Sequence, residues 1–193
     1  MRHSSETDVP GSHVVLVDEH DSVLGVEEKL RAHTLGSLHR AVSVFALEGS
    51  GALLIQQRAL SKYHSAGLWS NAACTHPREG ESVLQAAERC LREELGVSAL
   101  LEPAFRFRYR ASVPPGLIEH EYDHVFVGTV RGSPQPRAEE VMGWRAMSPN
   151  ALALEMTQRP EAFTVWFRIA LPLYRRWRER NGEQLHNPFF ETV

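Results

Sequence analysis

Cysteine is scarce in this sequence: 193 residues carry two. Two thiols cannot build a disulfide framework, and they point to a reducing compartment. Long apolar runs are missing too. The most apolar late stretch, Pro160 to Tyr174, contains Glu161 and Arg168 and is too short to span a bilayer. The opening MRHSSETDVPGSH lacks the apolar core of a secretory signal. Charge of one sign is also lacking: 21 basic against 24 acidic residues leave a net charge of −3. That excludes the concentrated basic surface that neutralises nucleic-acid phosphates. Repeats, low-complexity tracts and a dividing linker are absent. What is there is ordinary globular composition, 42% hydrophobic and 23% charged, in a chain long enough to bury a sizeable core. The expectation is a cytoplasmic protein with one domain over residues 1–193, of which residues 1–12 form a disordered tail.

The hydrophobic pattern then lays out the elements. HVVLVDEHDSVLGVEEK predicts two short strands around a turn, and LHRAVSVFALEGSGALLIQQRA predicts a hairpin, Ala41–Leu47 and Ala52–Gln57 joined at EGSG. LWSNAAC predicts one further strand ending at Cys74. Ser82 followed by Gln85 forms a capping-box pattern. Behind it Val83, Ala86, Ala87, Cys90, Leu91 and Leu95 recur at helical spacing until Gly96 stops the helix. AFRFRYRA alternates aromatic and arginine, a strand with one buried face, and LIEHEYDHVFVGTV is its antiparallel partner across the VPPG turn. Ser148 to Arg178 predicts two helices, the second begun by Pro160. A mixed sheet with a central helix and a C-terminal helical layer is an α/β (α+β) sandwich.

Four groups of residues invite chemistry, and each has a plain structural reading as well. In ERCLREELGV, Arg89 and Glu93 have the spacing of a helix-surface ion pair, worth a few tenths of a kcal/mol. Glu94, directly before Leu95-Gly96-Val97, is less easily dismissed. From Gly80 the segment resembles the Nudix box: Arg89, Leu91, Glu93, Glu94, Gly96 and Val97 match, while Ala86 and Cys90 stand where the box has glutamates. Such a helix presents carboxylates to a divalent cation that holds a diphosphate. In EHEYD, Glu119, Glu121 and Asp123 share a strand face about 6.5–7 Å apart; it is either an exposed polar face or a carboxylate cluster relieved by a metal. Of ten histidines, His33, His39 and His76 fall at or near predicted strand ends. Three imidazoles and two carboxylates are too many for a four-coordinate structural zinc and suit six-coordinate zinc, manganese or magnesium. Cys74, two residues before His76, is either a small buried hydrophobe or a thiol whose pKa a nearby imidazole or metal lowers.

Together, AHTLGSLHRAVSVFAL, LLIQQRALSKYHSAGLWSNAACTHPREGES, ERCLREELGV, FRFRYRA and GLIEHEYDHVF resemble, in order, the type I isopentenyl-diphosphate isomerases, divalent-metal enzymes on a Nudix-like fold. The resemblance runs from about Val14 to Trp166. It implies a Nudix-like mixed-sheet sandwich with a central Nudix-type helix. It also implies a 1,3-allylic proton shift interconverting isopentenyl and dimethylallyl diphosphate, through a carbocation-like species in a dry pocket. By motif position it implies Cys74 and Glu121, the latter assisted by the Tyr109 hydroxyl, as the acid–base pair, with protonation from the Glu121/Tyr109 side and deprotonation by the Cys74 thiolate. His33, His39, His76, Glu119 and Glu121 would bind one divalent ion (manganese, zinc or magnesium). Glu94 and the diphosphate would hold a magnesium ion. Arg58 and Lys62 would contact the phosphates, and the Trp166 ring would face the cation. His13 and His20 are alternatives for the His33/His39 pair, whose connecting loop is short; Asp123 and His124 fall near the site with no role. A small-molecule substrate, no nucleic acid, no membrane insertion, and a monomer or weak homodimer complete the expectation. The competing readings are a Nudix diphosphohydrolase, which needs the carboxylates that Ala86 and Cys90 replace, and a zinc-stabilised binding module using Cys74 and His76.

Overall fold

The computed structural model describes residues 12–181 and the backbone of 189–192. Residues 1–11 lie outside the described residues, and with them nearly all of the expected N-terminal tail. In chain order the elements are β1 (His13–Val17), β2 (Val23–Glu28), α1 (Lys29–Leu35), β3 (His39–Leu47), β4 (Leu53–Arg58), β5 (Trp69–Asn71), β6 (Ala73–Thr75), α2 (Val83–Leu95), β7 (Ser98–Ala99), β8 (Glu102–Val113), β9 (Leu117–Arg131), β10 (Val141–Met147), α3 (Pro149–Gln158), a 3₁₀ turn (Pro160–Ala162), α4 (Val165–Asn181) and β11 (Phe189–Thr192).

The sheet runs β10-β4-β3-β9-β8-β11. Its centre is a parallel pair, β3 beside β9, with His39 opposite Glu121 and Leu47 opposite Thr129. Every residue of β3 except Arg40 is buried, as expected of a strand covered on both faces. Alternate residues serve two cores. Phe45 and Leu47 join Phe105, Phe107, Phe167 and Tyr174 under α3 and α4. Val42, Val44 and Ala46 join Ala86, Leu91 and Leu95 under α2. This is the expected mixed-sheet sandwich with a central helix and a C-terminal helical layer. Among the described residues no helix is long and apolar enough to cross a membrane.

Helix α2 starts and stops as its sequence predicts: Ser82 and Gln85 complete a capping box, and Gly96 closes the helix in the left-handed region. Three expectations change. The predicted hairpin exists only at its tip, where Leu47 pairs with Leu53; beyond it β3 turns to β9 and β6, and β4 to β10 and β5. The single strand expected over LWSNAAC is two, because the chain changes partner at Ala72. Asn71 makes that corner possible, its side-chain amide donating to the carbonyls of Val44 and Ala73 at 3.3 and 2.9 Å. Pro160 starts only the 3₁₀ turn. Phe163 and Thr164 stay extended against β5, the Thr164 amide donating to the Trp69 carbonyl, so the second helix begins at Val165.

Candidate active site

Three neighbouring strands set out a row of side chains. On the β3–β9–β8 ladder His39 lies opposite Glu121, and Glu121 opposite Tyr109. Two residues back along β9 on the same face is Glu119, and two residues on is Asp123. All three carboxylates are buried, so the exposed-face reading of EHEYD fails. His124 points to the other face, where its Nε2 meets Asp21 Oδ2 at 2.9 Å beside Arg40, a clamp on the β1–β2 turn.

Four histidines surround Glu119 and Glu121. His33 comes from the last turn of α1, a helix capped by the Glu28 carboxylate and closed by Gly36 at φ 67°. That left-handed residue turns the chain back within a short loop, so the rings of His33 and His39 stand 4.7 Å apart. The short spacing is therefore no obstacle, and His13 and His20 lie exposed elsewhere. His33 Nδ1 pairs with the Lys29 carbonyl at 2.7 Å and His39 Nδ1 with the Ser37 carbonyl at 2.8 Å. A carbonyl at Nδ1 requires a proton there, so Nε2, which faces the carboxylates, is the atom whose lone pair a cation would take, the tautomer of a metal ligand. His76 arrives from the loop after β6, its Nε2 at 3.0 Å from Glu121 Oε1. The fourth, His64, is 7% exposed and was not singled out by the sequence; its Nε2 is 3.1 Å from Glu119 Oε1.

These donors fit a divalent cation. His33, His39, His76 and Glu121 each offer an atom within 4.8 Å of the others, as do His33, His64 and Glu119. Neighbouring donors on an octahedral ion with bonds of about 2.1 Å sit roughly 3 Å apart. His76–Glu121, His33–Glu119 and His39–Glu121 span 3.0, 3.4 and 3.7 Å. His33 Nε2, His39 Nε2 and Glu119 Oε2 are buried with no hydrogen-bond partner among the described residues, a costly arrangement without an ion. Burial drives both carboxylates toward the neutral form. Glu121 nevertheless stays ionised, well below the usual carboxylate range, because His39 and His76 pair with it. Glu119 is raised by burial and by the charge of Glu121.

In front of this centre lies a pocket of about 220 Å³, walled by Glu119, Glu121, His76, Cys74, His64 and Trp166. Tyr109 stands behind Glu121 rather than in the wall, its hydroxyl donating to Oε2 at 2.7 Å. Cys74, opposite Ser43 on β3, donates its thiol proton to Asn71 Oδ1 at 3.0 Å and lies 3.7 Å from Ser43 Oγ. Burial, then the charges of Asp123 and Glu94, push this thiol up to about 12, against the opposing pull of Ser43 and Arg58. Of the two readings of Cys74, the thiol whose pKa an imidazole lowers finds none beside the sulfur: the histidines face Glu119 and Glu121. Asp123 accepts from Ser43 Oγ at 2.7 Å, which gives this carboxylate a place in the same network.

Lys29, Arg58 and Lys62 also line this pocket. Burial, then the charge of Lys62, holds the Lys29 ammonium below its ordinary pKa. Cations crowded in this way are relieved by an anion. Lys29 was not anticipated, although it immediately follows Glu28, the residue that caps α1. Lys62 is paired with Glu140, a second unanticipated wall residue. The Arg58 guanidinium lies 5.2 Å over the Trp166 ring, so one face of that indole already meets a cation, while its Nε1 donates to Ser70 Oγ at 2.9 Å.

Helix α2 supplies Glu94, which accepts from the Gln56 amide and is pushed by burial up to about 7. Ala86 and Cys90, at the two positions where the box has glutamates, are packed into the core. Arg89 does reach Glu93 at 3.2 Å, but its main partner is Glu81, gripped by two hydrogen bonds of 2.7 and 2.8 Å, and it also donates to the His76 carbonyl at 3.3 Å. The helix-surface pair therefore forms, and the same guanidinium also braces the loop that carries His76.

Comparison with known proteins supplies the family. A family model described as NUDIX domain matches residues 37–167. An isopentenyl-diphosphate Delta-isomerase of Serratia proteamaculans (strain 568) is 52% identical over 154 residues, covering 80% of this chain and 86% of that protein. The isopentenyl-diphosphate Delta-isomerase of Streptomyces coelicolor is 48% identical over 165 residues, 83% of this chain and 82% of the relative. Among solved structures, a Deinococcus radiodurans protein superposes with a TM-score of 0.67 at 22% identity, covering 85% of this chain and 98% of its own, a likeness of fold. The chain belongs to the isopentenyl-diphosphate Delta-isomerase family and is built on the NUDIX domain.

Proposed function

We infer that this protein interconverts isopentenyl and dimethylallyl diphosphate by a 1,3-allylic proton shift. The reading rests on one observation above all: Cys74 and Glu121 open onto the same pocket, between a cationic mouth and a buried His/Glu donor set. Relatives at 44–52% identity that carry the isomerase name support it. The shift adds a proton at C4 and removes one at C2, which requires two proton-transfer groups on a substrate held still. Cys74 is one and Glu121 the other. Tyr109 fixes the Glu121 carboxylate from behind and holds a proton against it. Resting Cys74 carries its own proton, so a thiolate at that position forms only in the course of the reaction.

Lys29, Arg58 and Lys62 hold the diphosphate, and Glu94 with the diphosphate holds a magnesium ion. His33, His39, His76, Glu119 and Glu121 hold the second cation (manganese, zinc or magnesium); a bound ion there supplies positive charge that keeps Glu121 ionised and fixed. Trp166 closes the pocket against water, which would capture a carbocation. All these residues lie between Lys29 and Trp166 of one chain, which supports one Nudix-like unit, a monomer or weak homodimer. Two unpaired cysteines, one of them in the pocket, support a reducing, cytoplasmic setting.

The diphosphohydrolase reading is disfavoured because Ala86 and Cys90 leave α2 without the carboxylates that activate water. A proton NMR time course in D₂O with magnesium and isopentenyl diphosphate tests the choice. Loss of the terminal vinyl signal, growth of dimethylallyl methyl signals and deuterium entry are expected. An unchanged spectrum from folded, metal-loaded protein would overturn the isomerase reading and make nucleotide diphosphates the next substrates.

A further inference from the structure

His64 is a fourth buried imidazole beside a donor set that needs only three. Its Nε2 is 3.1 Å from Glu119 Oε1, and its Nδ1 is 3.2 Å from Ser65 Oγ. The other oxygen of the same carboxylate, Oε2, faces His33 Nε2 at 3.4 Å, and both of those atoms lack a hydrogen-bond partner among the described residues. The two oxygens of Glu119 therefore have different surroundings.

His64 is not a ligand of an independent second ion. The His33–His64–Glu119 group shares His33 with the group that contains His39, His76 and Glu121. A neutral imidazole offers one lone pair, and the second nitrogen of His33 is committed to the Lys29 carbonyl. With His33 given to the larger group, His64 and Glu119 remain as a pair. With the Ser65 hydroxyl donating to Nδ1, the ring proton stands on Nε2, the atom 3.1 Å from Glu119 Oε1.

We propose that His64 is the positioning residue of the metal centre, holding Glu119 by Oε1 so that Oε2 is presented to the cation. This rests on the metal-centre reading above. Ligating carboxylates need a second contact of this kind to fix their orientation, and loss of such a contact costs about 10- to 100-fold in metal affinity. The arrangement resembles the neighbouring one: Glu121 gives Oε1 to His39 and His76 and Oε2 to Tyr109, and Glu119 gives Oε2 to His33 and Oε1 to His64. His64 also links the metal to the pocket mouth. Arg58 donates to its backbone carbonyl at 3.2 Å, and its ring meets the edge of Trp166 at 5.9 Å between centroids.

The test is cobalt(II) binding by chelator competition, together with the visible spectrum of the bound ion, for wild type, His64→Ala and His64→Gln. His64→Ala should bind cobalt about 10- to 100-fold more weakly, with an unchanged d–d spectrum. His64→Gln, which keeps an N–H donor, should recover affinity to within a few-fold. Unchanged affinity in His64→Ala would overturn the proposal. So would a changed spectrum with no rescue by glutamine, which would make His64 a direct ligand. Should His64→Ala fail to fold by circular dichroism, His64→Gln decides alone: wild-type affinity and spectrum support the proposal, and loss of either refutes it. Failure of the wild type itself to bind cobalt would instead remove the metal-centre reading.

Discussion

The Tyr109 hydroxyl donates to Glu121 Oε2 across 2.7 Å, while Oε1 of the same carboxylate faces His76 at 3.0 Å. One carboxylate is shared between a phenol and a cluster of imidazoles, and the parallel β3–β9 and antiparallel β9–β8 pairings make that sharing possible. Tyr109→Phe keeps the ring, which stacks on Phe107 with centroids 5.5 Å apart. It removes a hydrogen bond to a charged group, worth about 1.5–3 kcal/mol, or roughly 10- to 150-fold in rate if it acts in the transition state. The expected result is a kcat, measured at saturating metal, reduced by that order, beside the roughly 10- to 100-fold fall in cobalt affinity that loss of a contact orienting a ligating carboxylate brings. A kcat that recovers fully at saturating metal would make Tyr109 a support for the metal centre alone.

Cys74 should behave as an ordinary protonated thiol and not as an activated thiolate. With its pKa pushed up to about 12, its alkylation by iodoacetamide should still be accelerating at pH 10, followed by mass spectrometry of the Cys74 peptide in the absence of substrate. A plateau near neutral pH would contradict that. Cys74→Ala should abolish isomerisation while leaving the melting temperature within a few degrees, because the side chain is small and half-buried; near-wild-type turnover would remove Cys74 from the acid–base pair.

Much of this was legible in the sequence, for local reasons. The capping box at Ser82 and Gln85, the alternation in AFRFRYRA and the Gly96 stop involve residues a few positions apart, where short-range hydrogen bonds and periodic burial leave a pattern. Partnerships across long separations were not. Ser43 sits opposite Cys74 and His39 opposite Glu121 because β3 chose β6 and β9 over its hairpin neighbour, and two-sided burial of β3 carries no signal of which strand will cover it. His64 and Lys29 were missed for the same reason: each lies in a quoted or capped segment, but only the fold brings them to the site. Sequence proximity also does not give direction: His76, two residues from Cys74, points to Glu121 and not to sulfur.

Arg89 offers a test of how the helix supports the site. It grips Glu81 and the His76 carbonyl, so Arg89→Ala should loosen the loop that delivers His76. The lost charge-assisted bonds should destabilise the fold by ~1–3 kcal/mol. Cobalt affinity should fall as well, which an ordinary helix-surface pair would not produce. The pH dependence has a definite sign. The bonds from Arg89 outweigh burial and hold Glu81 below its ordinary pKa. Its contribution is therefore full above the unfolded value of about 4.3 and is lost as pH falls through the lower folded value. Urea melts of wild type and Arg89→Ala should differ at pH 7 and converge toward pH 3. A difference that persists unchanged at pH 3 would assign the effect to packing.

Removing the metal should separate catalysis from folding. The two cores under α2 and under α3/α4 are apolar and complete without an ion, so the chelated protein should keep its far-UV circular dichroism. Turnover should stop. Stability should fall, because an ion that binds only the folded chain contributes RT ln(1 + [L]/Kd), about 2.7 kcal/mol at a hundredfold excess over Kd. For a chain of this size that corresponds to roughly 5–10 °C in melting temperature. Much of that loss should reside in Glu119 and Glu121, whose like charges face each other in the absence of the ion. Glu119→Gln should therefore melt higher than wild type in chelator and lower than wild type with metal present. The same order of melting temperatures in both conditions would show that no ion binds between these carboxylates, whereas complete unfolding on chelation would restore the reading of a metal-stapled binding module.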